Sequence, residues 1–328
     1  MRIRKGNRKK AEKRRGKAGI ILATLLFLLF LMPYGISFFA ETDREVIHDE
    51  DDPSPAPFVI CKNLLGRTRI PLETYLEGMM AAVIPAQYHQ ETLKAQAVIL
   101  RSRCFFHAET ENGEYVIPED KLQDMYLTKV QRQSLWGDDF EEYDSRIRQA
   151  IEDTRGIIMM WEEKLINPPF FRVSNGTTRS SQVYRKYEQF YEYIKRVECK
   201  NDIRSEDYAD LITVPKQEFK NIIAKLLKRE TWQMEKIILH RDESDYVKEV
   251  QIGTDWIDGE AFRAAFGLPS AGFSFRDEPA EIHIESKGMG HGFGFSQFEA
   301  NEQAVDGETW QDVLFYFFRD IKLEKIVS

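Results

Sequence analysis

The pattern of apolar and polar residues after position 57 predicts two helices separated by a short break. Residues 72–83 read LETYLEGMMAAV, and Pro71 suits the first turn of a helix. Pro85 ends this helix, because proline lacks a backbone N–H and its ring clashes with the preceding turn. A second helix is predicted from about Glu91 to His107. Its buried face is predicted from apolar residues at helical spacing: Leu93, Ala97, Leu100 and Cys104.

The rest of the chain alternates between helical and strand-like patterns. Helices are predicted at residues 145–156, 217–230 and 310–318, with Gly156 as a C-cap. Strand-like patterns occur at residues 58–72, 157–176, 235–253 and 280–286. Because no strict strand–helix–strand rhythm is present, the sequence predicts an α+β fold of mixed helices and strands and not a doubly wound sheet.

The N-terminus has a pattern of its own. Residues 20–40 form a stretch of 21 residues without a charge, which is long enough to cross a bilayer. The sequence therefore predicts a basic cytoplasmic tail (1–19), a single transmembrane anchor (20–40), an acidic, proline-rich linker (41–57) and an extracytoplasmic domain (58–328). A cleaved signal peptide is the alternative, but Phe38 occupies a position where cleavage requires a small residue.

Charge, cysteine and histidine content bear on three kinds of function: nucleic-acid binding, disulfide formation and metal binding. Residues 1–17 carry ten basic residues and one acid, a local charge of +9, so the remaining chain carries −8 − 9 = −17. This acidic remainder argues against a nucleic-acid-binding protein. The three cysteines (Cys61, Cys104 and Cys199) allow one disulfide with one thiol left over, but buried or free thiols are the simpler interpretation. The six histidines lack metal-ligand spacing, and no metal or cofactor is predicted.

Three segments are candidates for a functional site. The segment KGMGHGFGFSQFEANEQA, from Lys287, combines four glycines with His291, Ser296 and Gln297, and such a loop can approach a hydroxyl-rich ligand closely. The turn SNGTT, from Ser174, is a second polar segment. The break at Pro85 is the third, although residues 79–88 contain no acid. Each of these is also compatible with an ordinary turn.

Together these segments resemble the stage II sporulation protein D family, which includes amidase-enhancer proteins. The resemblance covers most of residues 70–325. It is strongest in PLETYLEGMMAAVIPAQYHQETLKAQAVILRSR and KGMGHGFGFSQFEANEQA, with SNGTT, YIKRVECKND and IDGEAFRAAFGLPS in the same order as in the family. It implies a mixed fold with a cleft and a membrane-anchored protein of engulfment. It also implies lytic transglycosylase activity on peptidoglycan glycan strands from which a partner amidase has removed the stem peptides.

The resemblance also implies a set of site residues. The family pattern has Glu-Met-Pro before the second helix, with that Glu as the catalytic acid, and here Val83 occupies the position of the acid. Phe171 falls near the position where a histidine often precedes the serine turn. The implied substrate-binding residues are Gln96, Arg101, Ser174, Gly176, His291, Ser296 and Gln297.

Because valine cannot carry a proton, the expected function is glycan-strand binding with impaired cleavage. Two alternatives remain open at this point. One is an active lytic transglycosylase that takes its acid from elsewhere in the chain. The other is a non-enzymatic scaffold or activator of a partner amidase. The expected partners are glycan strands, a cell-wall amidase, other engulfment proteins and the membrane.

Overall fold

The computed structural model describes residues 57–63, 66–181, 192–229 and 236–326. The predicted basic tail (1–19), transmembrane anchor (20–40) and all of the linker except its last residue lie outside these described residues. Within the described ranges, none of the helices combines the length and apolar character needed to span a bilayer.

Helices and strands are intermixed along the described chain, which confirms the α+β class. The α-helices are α1 (Leu72–Val83), α2 (Gln90–Phe106), α3 (Lys129–Trp136), α4 (Phe140–Asp153), α5 (Lys216–Leu226), α6 (Gly259–Phe266), α7 (Gln297–Val305) and α8 (Trp310–Phe317). The strands are β1 (Phe58–Asn63), β2 (Gly66–Pro71), β3 (Glu109–Glu111), β4 (Glu114–Pro118), β5 (Ile157–Trp161), β6 (Lys164–Leu165), β7 (Phe170–Phe171), β8 (Ala209–Pro215), β9 (Ile237–Arg241), β10 (Val247–Ile252), β11 (Asp255–Asp258), β12 (Phe273–Asp277), β13 (Glu281–Lys287), β14 (Phe295–Ser296) and β15 (Ile321–Lys325).

The strands form several small sheets instead of one large sheet. Their orders are β2-β1-β4-β3, β15-β5-β6, β12-β13-β8, β11-β10-β9 and β14-β7. Most pairs are antiparallel, while β1 with β4 and β7 with β14 are parallel. Small antiparallel sheets covered by helices on one side are typical of α+β proteins.

Helix α2 lies at the centre of the N-terminal half and is buried on most of its surface. The predicted residues Leu93, Ala97, Leu100 and Cys104 pack into one hydrophobic core together with α1 and α4. A second set on the same helix, Ala95, Val98 and Ile99, packs into another core with α8 and β15. Helix α2 is therefore buried on two sides. This explains why apolar residues also occur outside the single face that the sequence predicts.

A third hydrophobic core holds the region between residues 209 and 287 together. Helices α5 and α6 pack on the sheets through aromatic side chains, with Phe219, Phe262 and Phe273 fully buried. The rings of Phe262 and Phe273 stack at a centroid distance of 4.8 Å. This core is separate from the two that surround α2.

Some local predictions differ from the structure. Helix α3 was not predicted, because it is mostly exposed and lacks a clear apolar stripe; a capping box between Thr128 and Gln131 fixes its start. Gly156 does not cap α4, which ends at Asp153 with Thr154 as its cap, although Gly156 has a positive φ of 72°. All three cysteines are buried and no disulfide joins them, as the simpler interpretation predicted.

Candidate functional site

The break between α1 and α2 is the first component of the candidate site. Helix α1 ends at Val83 because Ile84 is extended (φ −134°, ψ 141°) and Pro85 follows. Helix α2 then starts after His89, whose side chain accepts a hydrogen bond from the Glu91 N–H over 3.4 Å. The Val83 side chain is half-buried and packs against the core formed by α1 and α2.

Gln297 connects this break to the glycine-rich segment. Its Nε2 donates to the Val83 carbonyl oxygen over 2.9 Å and to Gln96 Oε1 over 3.0 Å. Gln96 is fully buried and Gln297 is 2% exposed, so both amides are shielded from water. Val83, Gln96 and Gln297, three positions that the family resemblance implies for the site, are therefore in contact. Val83 and Gln297 are 214 residues apart in the sequence.

The short strands β7 and β14 bring the second and third candidate segments together. They pair in parallel, with Phe170 opposite Phe295 and Phe171 opposite Ser296. Strand β7 leads into the turn at Ser174, and β14 leads directly into α7 at Gln297. The pairing therefore fixes the serine turn beside the start of α7.

Asp202 joins the same two segments through hydrogen bonds. One of its oxygens, Oδ2, accepts from the Ser174 backbone N–H over 2.7 Å and from the Ser296 hydroxyl over 2.8 Å. The Ser174 hydroxyl in turn accepts from the Gly176 N–H over 3.0 Å. Because both serine side chains are fully buried, they shape the turn and offer no surface to a ligand in this conformation.

Sequence reasoning did not single out Asp202. The residue stands in YIKRVECKND among other charged residues, and nothing in the spacing marks it as buried. Burial raises the pKa of Asp202 to about 6, against the opposing effect of the hydrogen bonds from Ser174 and Ser296.

The glycine-rich loop lies directly on the strand before the serine turn. Met289 and Val173 exchange two backbone hydrogen bonds of 2.7 and 3.1 Å. Gly290 has φ 116°, and a Cβ added there would lie 2.7 Å from Phe171 Cβ. Only glycine allows both this backbone conformation and this close approach.

His291 is held in this loop as a neutral side chain. Its ring lies between Phe171 and Phe293, with centroid distances of 5.7 and 5.9 Å. Its Nδ1 accepts from the Phe293 N–H over 3.0 Å, which leaves the proton on Nε2. Burial lowers the pKa of His291 to about 4, and the guanidinium groups of Arg103 and Arg179 add to the shift. At neutral pH the residue therefore carries no charge.

Arg101, another predicted substrate-binding residue, has a different environment. Its side chain is fully buried and forms a bidentate ion pair with Glu73 at 2.7 to 3.2 Å. It also donates to the carbonyl groups of Ile151 and Ile157. The guanidinium group thus fastens α1, α2 and the end of α4 together and presents no exposed surface to a ligand.

Neither acid closest in sequence to Val83 belongs to the candidate site. Glu77 pairs with Arg132 of α3; burial raises the pKa of its carboxyl, and Arg132 opposes that effect. Glu91 pairs with Lys94 and accepts from the Trp310 N–H. Burial would raise the pKa of Glu91, but these hydrogen bonds outweigh it and lower the pKa. Both acids have structural partners.

The arrangement is thus a buried, amide-lined junction that also contains the carboxylate of Asp202. Val83, Gln96 and Gln297 form one contact group, and Ser174, Gly176 and Ser296 form a second one around Asp202. His291 lies in the glycine-rich loop against Phe171, whereas Arg101 lies apart in the helical core. Across the described ranges, no cluster of three or more histidine, cysteine or acidic residues could hold a metal ion.

Comparison with known proteins finds similarity to stage II sporulation proteins, both by a family model and by individual relatives. A family model described as "Stage II sporulation protein" matches residues 62–161. Stage II sporulation protein D of Bacillus amyloliquefaciens is 28% identical over 264 residues, which cover 79% of this chain and 76% of that protein. The protein of the same name from Bacillus subtilis is 28% identical over 262 residues, 78% of this chain and 75% of its own length. An uncharacterised protein of Brachyspira hyodysenteriae is 21% identical over 256 residues. The chain is therefore similar to the stage II sporulation protein D family, through the family-model match at residues 62–161 and through these two Bacillus relatives.

Proposed function

We propose that this protein is a membrane-anchored sporulation protein that binds peptidoglycan glycan strands at the amide-lined junction and cleaves them poorly or not at all. The observation that carries the proposal is the bridge from Gln297 to the Val83 carbonyl and to Gln96. Because Gln297 binds the main chain at position 83, the site's framework does not depend on the side chain there.

The chemistry of the junction supports a neutral, hydroxyl- and amide-rich ligand. Gln96 and Gln297 are buried and bonded to each other, so they hold the junction together without adding charge, and the partly exposed His291 supplies an uncharged imidazole. The glycine-rich loop packs closely on Phe171 at Gly290, and this packing places His291 beside the Phe171 ring. Sugar hydroxyl and acetamido groups are suitable partners for such donors and acceptors.

Impaired cleavage follows from position 83 itself. Lytic cleavage of a glycan strand needs an acid that protonates the glycosidic oxygen. Valine has no proton to give, and the side-chain hydrogen bonds of Gln96 and Gln297 involve no carboxylate. Loss of a general acid typically lowers the rate by about 10²–10⁴-fold.

The test uses the full chain, purified in mild detergent, with peptide-free glycan strands. We expect the strands to bind and their ends to remain unchanged, as read by co-sedimentation and by mass spectrometry. Abundant anhydro ends would overturn the proposed impairment and favour an acid supplied from elsewhere. Absence of binding would overturn the proposal as a whole; stimulation of a cell-wall amidase by the same preparation would then support the activator alternative.

A further inference from the structure

Asp202 lies at the start of a single turn of 3₁₀ helix (Asp202–Arg204) and is fully buried. Its Oδ2 is the shared acceptor for the Ser174 backbone N–H and the Ser296 hydroxyl, at 2.7 and 2.8 Å. The three residues are far apart in sequence, so one carboxylate oxygen fixes two separate segments against each other. A charged acceptor forms stronger hydrogen bonds than a neutral one.

The two segments lead directly to the candidate site. Ser296 is followed by Gln297, whose amide reaches Val83 and Gln96. Ser174 opens the turn that is closed by the hydrogen bond between its hydroxyl and the Gly176 N–H. Displacement of Ser296 would therefore move Gln297, and displacement of Ser174 would open the turn.

The neighbouring residue reinforces this position from α7. The Asn201 N–H donates to Glu299 Oε2 over 2.8 Å, and the Asn201 side-chain amide donates to Glu299 Oε1 over 3.2 Å. The segment around residues 201–202 is thus attached to α7 at two successive positions, which limits how far Asp202 can move relative to Ser296.

The other oxygen of Asp202 has a different environment. Oδ1 is buried and has no hydrogen-bond partner among the described residues. An unpartnered buried oxygen on a carboxylate lowers stability, and the two hydrogen bonds that Oδ2 accepts offset part of this cost.

We propose that Asp202 is a positioning residue that holds the Ser174 turn and the Ser296–Gln297 segment in the arrangement required for glycan binding. This inference rests on the proposed function, because it names how the same site is kept in shape. Asp202 acts through Ser174 and Ser296 and makes no contact with the ligand.

The experiment compares Asp202→Ala with Asp202→Asn in the full chain, with hydrogen–deuterium exchange and glycan binding as separate measurements. Alanine removes the acceptor, so we expect exchange at residues 173–177 and 294–297 to become about tenfold faster or more, with glycan affinity weaker by a similar factor. Asparagine keeps one acceptor oxygen and is expected to restore most of both. Asp144→Ala is the matched control: it removes another buried carboxylate, 4% exposed, from α4, and should leave both site measurements unchanged.

Each outcome decides a different point. Unchanged exchange in Asp202→Ala overturns the inference, and so does faster exchange with unchanged glycan affinity. If the wild-type chain binds no glycan, the proposed function fails, while the exchange measurement still tests whether Asp202 holds the two segments. If Asp202→Ala does not fold, Ser296→Ala removes only one of the two hydrogen bonds and should still loosen residues 294–297; unchanged exchange there would also count against the inference.

Discussion

Position 83 shows how main chain and side chain can serve different purposes at one residue. The carbonyl oxygen of Val83 accepts the hydrogen bond that fixes Gln297, and this contact is available to any residue. The isopropyl group packs against the core around α1 and α2, which any apolar side chain could do. Whether residue 83 can act as an acid therefore depends on its side chain alone.

Val83→Glu is expected to create or raise glycan cleavage. The new carboxyl would lie half-buried beside apolar residues, and desolvation raises a carboxyl pKa toward the range useful for a general acid. We expect anhydro ends to form about 10²-fold faster or more than with the wild type, with similar binding. Mass spectrometry of glycan ends measures this. Val83→Gln is the control, since it has the same length without the proton; equal activity in both variants would contradict the prediction.

Asp202 should also give the protein a characteristic pH dependence. Burial raises its pKa from 3.8 to about 6, so the protonated form is favoured in the folded state. This contribution to stability is present below about pH 4 and is lost as the pH rises through about 6. Asp202→Asn removes it, so the stability of the variant relative to the wild type should increase by roughly 2–3 kcal/mol between pH 4 and pH 8.

Urea unfolding at several pH values measures this difference. The groups that face Asp202 are the Ser174 and Ser296 hydroxyls, the Cys199 thiol and the Glu299 carboxylate, whose charge adds to the upward shift of the pKa. Glu299→Gln should accordingly move the midpoint of the pH dependence downward. A relative stability that stays constant with pH would show that Asp202 does not titrate in this range.

At the scale of elements, the glycine-rich loop shows how backbone conformation determines packing. Gly290 needs a positive φ and also approaches Phe171 closely, and the loop is held by backbone hydrogen bonds to Val173. A side chain at position 290 would therefore meet two obstacles at once. The loop also carries His291, so its displacement would affect the candidate site.

Gly290→Ala is expected to weaken glycan binding by about tenfold and to destabilise the fold by roughly 1–3 kcal/mol. Gly113→Ala is the matched control: its φ is 86°, and a Cβ there would meet nothing within 4 Å. The control should show the backbone strain without the steric clash or the loss of binding. Titration with glycan strands measures the loss of affinity, and urea unfolding measures the loss of stability. Equal losses of affinity and stability in Gly290→Ala and Gly113→Ala would refute the role of close packing.

The buried ion pair between Arg101 and Glu73 is a structural link between helices. Arg101→Met removes one partner and leaves Glu73 largely buried, which typically costs about 3–5 kcal/mol. Arg148→Met is the control, because Arg148 pairs with Asp144 from an exposed position and such pairs contribute about 1 kcal/mol or less. Glycan binding by the folded fraction of Arg101→Met should equal that of the wild type. Selective loss of binding would instead support the predicted substrate contact.

The elements with strong local signals could be predicted from the sequence. Pro71 and Pro85 mark the limits of α1, and the spacing from Leu93 to Cys104 marks one face of α2. The contacts that build the site could not be predicted in this way. The bond from Gln297 to Val83 spans 214 residues, and the burial of Asp202 depends on three segments that meet only in the folded chain. Local patterns carry no information about such pairings.

At the scale of the whole molecule, charge is divided between the two ends of the chain. The first 17 residues carry +9, and the remainder carries −17. A basic segment before an apolar stretch favours a cytoplasmic N-terminus, whereas an acidic domain is repelled by anionic lipid surfaces. The sequence therefore predicts that membrane association depends on the first 40 residues and not on the surface of the folded domain.

Removal of residues 1–57 should separate membrane association from glycan binding. Among the described residues, the three hydrophobic cores are formed from Val59 onward, so the shortened chain keeps the core packing that the structure describes. We expect it to remain in the supernatant with vesicles that contain anionic lipids, while the full chain sediments with them. Its affinity for peptide-free glycan strands should stay within about twofold of the full chain, because the site lies between residues 83 and 297. Sedimentation of the shortened chain with vesicles would show that the domain itself contacts the membrane, and a large loss of glycan affinity would show that the N-terminal region takes part in binding.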